Sequence, residues 1–269
     1  MDRRPVVAGQ FYPGTSIQLK ALVQDCLSQG GPKAPDPTML TMLPHAGYVF
    51  SGGVAGKTLA RANLTGTVLL LGPKHTAQGG VFSLWDQGKW LIPGGSVHVD
   101  TALAQALNRA EPMLTPDRAG HLREHSLEVL LPFLHSIDPH MHIVPLAVAE
   151  PNLEVLLGVA HKIAVVLRGW EEPVSMVVSS DMSHFLSQEV TTDKDKMALE
   201  KIVALDPEGL FQVVRQNNIS MCGVLPMTLG LAICRELGAR QAEITAYATS
   251  GEVSGDYDRV VGYAGALVF

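Results

Sequence analysis

Histidine and aspartate side chains follow three short apolar segments of the sequence, at the point where each segment ends. The segments are 39–43, 68–71 and Val174–Ser179. His45 follows the first segment, His75 the second, and Asp181 with His184 the third. Because ligands bind outside the carboxyl ends of parallel strands, these side chains would share one edge of a sheet. Imidazole and carboxylate groups gathered there predict a metal-type site or a site of acid–base catalysis.

Cys222 is a further candidate because it lies directly before 223–237, an apolar segment that predicts a helix. A helix N-terminus lowers the pKa of a thiol and favours the thiolate, the form that binds metals and acts as a nucleophile. The alternative is that Cys222 is a small buried apolar residue. Cys26 and Cys234 lie inside predicted helices, and we expect both of them to be buried.

The segment 124–128 places His125 and Glu128 three residues apart. On a helix this spacing puts both side chains on one face. The two residues could orient metal ligands from an outer position, or they could form an ordinary surface pair.

The elements that must position these residues alternate between short strands and longer helices. The predicted strands are 39–43, 68–71, His142–Val148, Val174–Ser179, 244–248 and 260–269. The predicted helices are 17–27, 53–61, Thr101–Ala110, 124–137, 153–167, 194–205, Pro207–Gln216 and 223–237. Asp100 is expected to cap the third helix, and Pro132 to kink the fourth. The alternation predicts an α/β fold, a three-layer α/β/α arrangement with a mainly parallel central sheet, and residues 1–269 are expected to form a single domain.

The composition limits the classes of partner. The 269 residues carry a formal net charge of −6 and no cluster of basic residues beyond Arg3 and Arg4, so nucleic acid is not an expected partner. No apolar run approaches the roughly 18 residues of a membrane span, and the first residues lack the apolar region of a signal peptide. Three cysteines do not suggest a disulfide framework. We therefore expect a cytoplasmic protein with reduced thiols and no membrane partner.

A phosphate-binding loop is an alternative that the spacing disfavours. Residues 51–58 nearly match the P-loop pattern, but Ser51 stands in place of the first glycine. The preceding strand is predicted to end at Leu43, too far upstream for the strand–loop–helix geometry of a nucleotide hydrolase. No nucleophile-elbow motif is present and no dinucleotide-binding motif follows a strand, so neither a serine hydrolase nor a dinucleotide cofactor is predicted.

Several motifs resemble those of the Memo family, whose microbial members are called AmmeMemoRadiSam system protein B. They are VAGQFYP, PHAGY, GPKH, EHSLEVLLPFL, SSDMSHF, CGVLP and SGDYDRVVGYAGA. They run in order from Val7 to Ala266, so the resemblance covers nearly the whole chain. It implies a fold similar to that of the class III extradiol ring-cleavage dioxygenases, which use non-haem Fe(II). One position departs from the family pattern, because Thr76 stands where many members have a second histidine.

The resemblance implies that His45, His75 and Cys222 hold a divalent metal ion. Iron(II) is the metal expected from the dioxygenase class, in which two histidines and a carboxylate are the usual ligands. A thiolate in place of the carboxylate makes the site softer, so zinc and copper are the alternatives. The expected function is that of a non-haem-iron redox enzyme or a dioxygenase-like enzyme.

Asp181, His184 and His125 match residues that line the same cleft of the family, and we expect them to act in catalysis. His184 would be the general acid/base because histidine is the side chain best suited to exchange protons near neutral pH, and Asp181 would orient it or bind substrate. The family name implies a radical SAM protein and an AMMECR-type protein as partners, with a small molecule or a peptide as the ligand in the cleft. The alternative function is a non-catalytic binding or adaptor protein that uses the same cleft for peptides or partners.

Overall fold

The computed structural model describes residues 2–269 and shows strands that alternate with helices along most of the chain. The strands are β1 (Leu40–Leu43), β2 (Thr67–Pro73), β3 (Phe82–Leu84), β4 (Lys89–Ile92), β5 (Gly95–Val99), β6 (Thr115–Pro116), β7 (His142–Val148), β8 (Val174–Ser179), β9 (His184–Leu186), β10 (Ala242–Thr249) and β11 (Val260–Val268). The helices are α1 (Ser16–Ser28), α2 (Tyr48–Arg61), α3 (Thr101–Ala110), α4 (Leu131–Ile137), α5 (Leu153–Arg168), α6 (Gln188–Val203), α7 (Pro207–Gln216), α8 (Val224–Glu236) and α9 (Gly251–Ser254). A turn of 3-10 helix, Glu128–Leu130, directly precedes α4.

One sheet of mixed direction joins the strands in the order β10-β11-β1-β8-β2-β7-β3-β6. Its centre is parallel, because β1 pairs with β8, β8 with β2, and β2 with β7 in the same direction. On one side, β11 pairs antiparallel with both β1 and β10, and on the other side β3 pairs antiparallel with β7. The hairpin of β4 and β5 joins through β5 to β7, and β9 joins to β11. The predicted parallel centre is therefore confirmed, and antiparallel strands extend it at both edges.

Helices cover both faces of this sheet, as the three-layer prediction requires. Leu69 and Leu71 of β2 belong to a buried cluster with side chains of α3, α5, α6, α7 and α8. Val68 and Leu70 of the same strand belong to a second buried cluster with side chains of α1, α2 and α4. Successive strand residues thus face opposite layers, and each fully buried leucine contributes roughly 2 kcal/mol. This double burial fixes the central strands, and with them the positions at which their carboxyl ends emerge.

The predicted helix at 124–137 is wrong in its first part. Residues 124–125 have no regular secondary structure and residues 126–127 form a turn, followed by the 3-10 turn and then α4. The Glu124 carboxylate accepts hydrogen bonds from the N–H groups of His125 and Ser126, and such local bonds compete with helix formation. Pro132 lies in the first turn of α4, where its missing N–H costs little, so it does not kink the helix. His125 and Glu128 therefore do not share a helical face.

The P-loop alternative is also wrong, because residues 51–58 lie entirely within α2. The glycines of this segment serve helix packing. A Cβ added to Gly56 would come within 2.4 Å of the backbone of Cys26, so glycine allows α2 to approach α1 closely. The segment is a buried helix face and presents no phosphate-binding loop.

Two of the remaining helix predictions, Thr101–Ala110 and Pro207–Gln216, match in both ends, and the others hold with shifted ends. The Asp100 side chain caps α3 by accepting the N–H of Leu103. Helix α6 begins six residues earlier than the predicted 194, at Gln188, because the Ser187 side chain caps it there. Among residues 2–269, no helix combines the length and the apolar character that crossing a membrane requires.

Candidate metal centre

Three imidazole rings converge at the carboxyl edge of the central strands. His45 follows β1, His75 follows β2, and His125 lies in the loop that precedes the 3-10 helix. One ring nitrogen from each residue lies within 4.8 Å of the others. The ring centroid of His45 is 5.3 Å from that of His75 and 5.6 Å from that of His125. The rings of His75 and His125 stack with 4.8 Å between their centroids. The strand-end rule thus placed His45 and His75 together, while His125 reaches them from a loop.

Cys222 and Asp181 lie against His45, but among the described residues they are outside the group whose ligand atoms all lie within 4.8 Å of one another. The Cys222 Sγ is 3.4 Å from the Nε2 of His45, and the Asp181 Oδ2 is 4.0 Å from the same nitrogen. The backbone N–H of Asp181 donates to the Cys222 Sγ at 3.2 Å, and the Asp181 Oδ1 accepts the backbone N–H of His45 at 2.8 Å. These hydrogen bonds therefore connect three segments: the loop after β1, the loop after β8 and the turn before α8.

The hydrogen bonds of His45 determine which of its nitrogens faces the centre with a lone pair. Its Nδ1 lies 2.7 Å from the hydroxyl of Ser179, and that hydroxyl donates to the carbonyl of Ser126 at 2.6 Å. Because the Ser179 proton is used in that bond, Ser179 must accept from His45 and Nδ1 must carry the proton. The Nε2 of His45 is then unprotonated, and it faces Cys222.

Glu124 orients the His75 ring, as Ser179 orients that of His45. This carboxylate is 1% exposed, and its Oε1 is 2.9 Å from the Nδ1 of His75. It also accepts the backbone N–H groups of His75, His125 and Ser126. A carboxylate that accepts from Nδ1 leaves Nε2 of His75 as the free nitrogen, the arrangement that orients histidine ligands in metal sites. Sequence reasoning did not single out Glu124, although its place directly before His125 was a signal.

Burial and neighbouring charges shift the titration of these groups. Burial lowers the pKa of His45 to about 4 and also lowers the pKa of His125. Burial opposes the charge of Glu124, but the hydrogen bonds and charge of His75 and the backbone N–H groups outweigh it and lower the pKa of Glu124 to about 2. The same pair raises the pKa of His75 against the effect of burial. His45 is thus neutral at pH 7, and Glu124 is charged.

The predicted lowering of the Cys222 pKa by the N-terminus of α8 is wrong. Burial and the negative charge of Asp181 raise the pKa of the Cys222 thiol, and they outweigh the hydrogen bond from the Asp181 N–H. Desolvation dominates because the sulfur faces the interior of the centre. A cation bound nearby would reverse this balance, since coordination deprotonates a thiol outright.

His184 lies beside Ser220, in the chain segment that leads to Cys222. Its Nδ1 donates to the Ser220 carbonyl at 3.0 Å, and its backbone N–H donates to the Ser220 hydroxyl at 2.7 Å. The group of imidazoles that could hold one ion is His45, His75 and His125, and His184 is outside it among the described residues. The role of His184 as a general acid/base stays a prediction.

Acid should destabilise the metal-free protein through two buried histidines. Burial lowers the pKa values of His45 and His121 to about 4 from an ordinary value of 6.5. As the pH falls, these histidines bind protons in the unfolded chain before they do so in the folded protein. Their contribution to the free energy of unfolding is therefore complete above pH 6.5 and is lost as the pH falls toward 4. We expect the free energy of unfolding to fall by about 1.4 kcal/mol per pH unit for each histidine in that window. Urea unfolding at pH 7, 6 and 5 measures it.

A matched control is His161→Gln, because the His161 side chain is 62% exposed. That variant should keep the same dependence on pH. A free energy of unfolding that stays constant between pH 7 and pH 5 would contradict the burial of two neutral histidines.

The fold and the site together define a mixed α/β protein with a histidine-lined centre at the carboxyl ends of its parallel strands. The family pattern described as "Memo-like protein" matches residues 3–267 of the chain. A MEMO1 family protein of Methanopyrus kandleri is 38% identical over 281 residues, which cover 100% of this chain and 99% of that protein. A MEMO1 family protein of Sulfurisphaera tokodaii is 36% identical over 278 residues, 98% of each chain. The chain belongs to the Memo-like protein family.

A solved structure has a similar fold. It is that of an uncharacterized protein from Escherichia coli K12, with a TM-score of 0.54 and 12% sequence identity. The match covers 84% of this chain and 98% of that one. At this level of identity the likeness concerns the fold alone.

Proposed function

We propose that this chain is a metal-dependent redox enzyme of the Memo family, with Fe(II) as its metal and with zinc or copper as the alternatives. The observation that carries the proposal is the orientation of two imidazoles. Ser179 and Glu124 accept from the Nδ1 atoms of His45 and His75, so both Nε2 atoms are free to bind a cation. The Cys222 sulfur lies 3.4 Å from one of them.

The donor set fits a transition-metal ion. Two neutral imidazole nitrogens and a thiol sulfur suit iron, zinc and copper, whereas magnesium and calcium prefer oxygen ligands. His125 offers a third imidazole within the same reach. When bound, the metal would supply a Lewis acid and, in the case of iron or copper, a redox centre.

The residues of the chain would divide the remaining tasks. His45 and His75 would bind the ion with their Nε2 atoms, and Cys222 would bind it as a thiolate. Asp181 holds the His45 backbone and the Cys222 sulfur in place, so its role would be to position them. The side chains of His75 and His125 are 34% and 24% exposed, so a ligand would approach from their side. His125 would then lie beside a bound molecule and exchange protons with it, in addition to the acid–base role predicted for His184.

Substitution of Cys222 by alanine tests the proposal. We expect Cys222→Ala to lose most of its bound metal because the sulfur contacts the free nitrogen of His45. The protein should still fold, since the substitution removes a single half-buried atom. The measurement is elemental analysis of anaerobically purified protein, with thermal unfolding of the same samples.

Cys26→Ala is the matched control, because Cys26 is a buried thiol of α1 that packs against Gly52. Its metal content should equal that of the unaltered protein. A Cys222→Ala protein with unchanged metal content would overturn the assignment of Cys222 as a ligand.

The partners and the location are further parts of the proposal. The family resemblance supports a radical SAM protein and an AMMECR-type protein as partners and a small molecule or a peptide as the ligand. The cytoplasmic location rests on the first residues, which lack the apolar region of a signal peptide, and on the three cysteines. Oxygen consumption by the iron-loaded protein, measured with and without those two proteins, tests the redox role and the partnership together. The adaptor alternative would be favoured if the His45→Asn variant still bound the partners and neither this variant nor the unaltered protein consumed oxygen.

A further inference from the structure

We propose that the N-terminal segment 3–12 is an integral part of the metal centre, with Arg3 and Glu128 as positioning residues for the loop that carries Glu124 and His125. This inference rests on the proposed function, since it concerns the same centre. The segment is called the N-terminal strap below. It contributes no predicted ligand, and its effect on the centre passes through the backbone of residues 121–128 and through a contact of the Phe11 ring with His125.

Arg3 is buried and binds this loop at three points. Its side chain is 1% exposed, and its guanidinium lies 4.2 Å above the ring of Trp90. The Nε donates to the carbonyl of His121 at 2.9 Å, the Nη2 donates to the carbonyl of Glu124, and the Nη1 donates to the carboxylate of Glu128 at 2.6 Å. The strap is thus hydrogen-bonded to the loop immediately before His125.

The backbone of Arg3 is itself fixed to the edge of the sheet. Its N–H donates to the carbonyl of Lys89 at 2.9 Å, and its carbonyl accepts the N–H of Leu91 at 2.8 Å. Both partners belong to β4, which is part of the sheet. Arg3 therefore connects a rigid strand to a loop that has no regular secondary structure of its own.

Glu128 secures the other end of the loop to the strap. It is 0% exposed, and its carboxylate accepts the N–H groups of Val6 and Val7 and the hydroxyl of Tyr12, each at 2.9 Å. Together with Arg3 these donors satisfy a charge that would otherwise be buried without partners. The loop 121–128 is consequently held at both ends by the same short segment.

The hydrogen bonds between the strap and the loop affect the metal centre through Glu124. The carbonyl of Glu124 is bound by Arg3, while its carboxylate fixes the Nδ1 of His75 and the N–H of His125. A shift of the Glu124 backbone would therefore move the group that orients His75. Small displacements matter here because metal ligands must be held within a fraction of an ångström of their productive positions.

The strap also contacts His125 directly. The ring of Phe11 packs against the imidazole of His125 with 4.8 Å between centroids. The carbonyl of Phe11 accepts the N–H of Tyr48 at 2.8 Å, which ties the strap to the first residue of α2, three positions after His45. The His125 ring therefore contacts Phe11 of the strap and stacks on the ring of His75.

The test compares Arg3→Met and Glu128→Gln with the unaltered protein in two measurements. In the metal-free protein, the amides of residues 124–126 should exchange hydrogen at least about tenfold faster in both variants. Affinity for added Zn²⁺, used as a redox-inert probe, should fall about ten- to hundredfold, the loss typical of altered outer-shell partners. Glu128→Gln preserves the shape of the side chain, so it keeps the test decisive where Arg3→Met does not fold.

Two controls separate positioning from general destabilisation. Arg235→Met removes an exposed ion pair with Glu208 and should leave both measurements unchanged. Val159→Ala creates a cavity in the opposite helix layer and should lower the melting temperature without altering Zn²⁺ affinity. Equal loss of Zn²⁺ affinity in Val159→Ala and Glu128→Gln, or unchanged affinity and exchange in the strap variants, would overturn the inference. Failure of the unaltered protein to bind Zn²⁺, iron or copper would instead contradict the proposed function, while the exchange data would still decide the role of the strap.

Discussion

Replacement of Glu124 by glutamine is expected to weaken metal binding about ten- to hundredfold and to destabilise the protein by about 3 kcal/mol. The carboxylate accepts hydrogen bonds from the Nδ1 of His75 and from the backbone N–H groups of His75, His125 and Ser126. A glutamine amide has the same shape, but its NH₂ group is a donor and would face other donors. The measurements are metal titration and urea unfolding at pH 7, where Glu124 is ionised because its pKa is lowered to about 2.

The matched control for this substitution is Glu208→Gln. Glu208 also accepts charged hydrogen bonds, from Arg235, but its side chain is 34% exposed. Exposed ion pairs contribute at most about 1 kcal/mol, so Glu208→Gln should change neither property by much. Glu124→Gln with unaltered metal affinity would show that the orientation of His75 does not depend on this carboxylate.

Replacement of His45 by asparagine is expected to reduce metal affinity by more than the hundredfold that loss of an outer partner produces. The Nε2 of His45 contacts the Cys222 sulfur, and the His45 side chain is 2% exposed, so no solvent molecule can readily take its place. The metal-free variant should also lose part of the acid sensitivity, because it lacks one of the two buried neutral histidines. Metal titration and the pH dependence of unfolding measure these effects in the same preparation.

His161→Asn is the control for His45→Asn, since His161 pairs with Glu236 on the surface far along the chain. It should keep metal affinity and acid sensitivity. Retention of metal by His45→Asn would mean that the ion lies elsewhere.

Much of the fold followed from local patterns. The central strands are short and apolar on both faces, which is typical of parallel strands between helix layers. Their order of alternation with helices was enough to predict that the residues following β1, β2 and β8 would lie at one edge. The short strands β3, β6 and β9 were harder to predict, because each has only two or three residues and little periodicity.

The centre itself was predictable only in part. The strand-end rule gathers His45, His75 and Asp181, but it gives no reason for Cys222, which lies 177 residues from His45. Its place before a predicted helix made Cys222 a candidate, and the family resemblance made it an expected ligand. The resemblance still leaves the metal and the reaction as proposals.

The supporting residues were not predictable from spacing. Glu124 is 49 residues from His75, and Arg3 is 121 residues from Glu124. No periodic pattern relates such positions, because buried hydrogen-bond networks are chosen by the three-dimensional packing. The helical spacing of His125 and Glu128 was misleading, since the Glu124 carboxylate binds the N–H groups of His125 and Ser126 and helical structure begins only at Glu128.

Anomalous diffraction at the iron edge from crystals of anaerobically iron-loaded protein tests the central claim most directly. The account predicts a single strong peak enclosed by the Nε2 atoms of His45 and His75 and the sulfur of Cys222. A peak at another place, or a loaded crystal in which the Cys222 sulfur points away from both imidazoles, would contradict it.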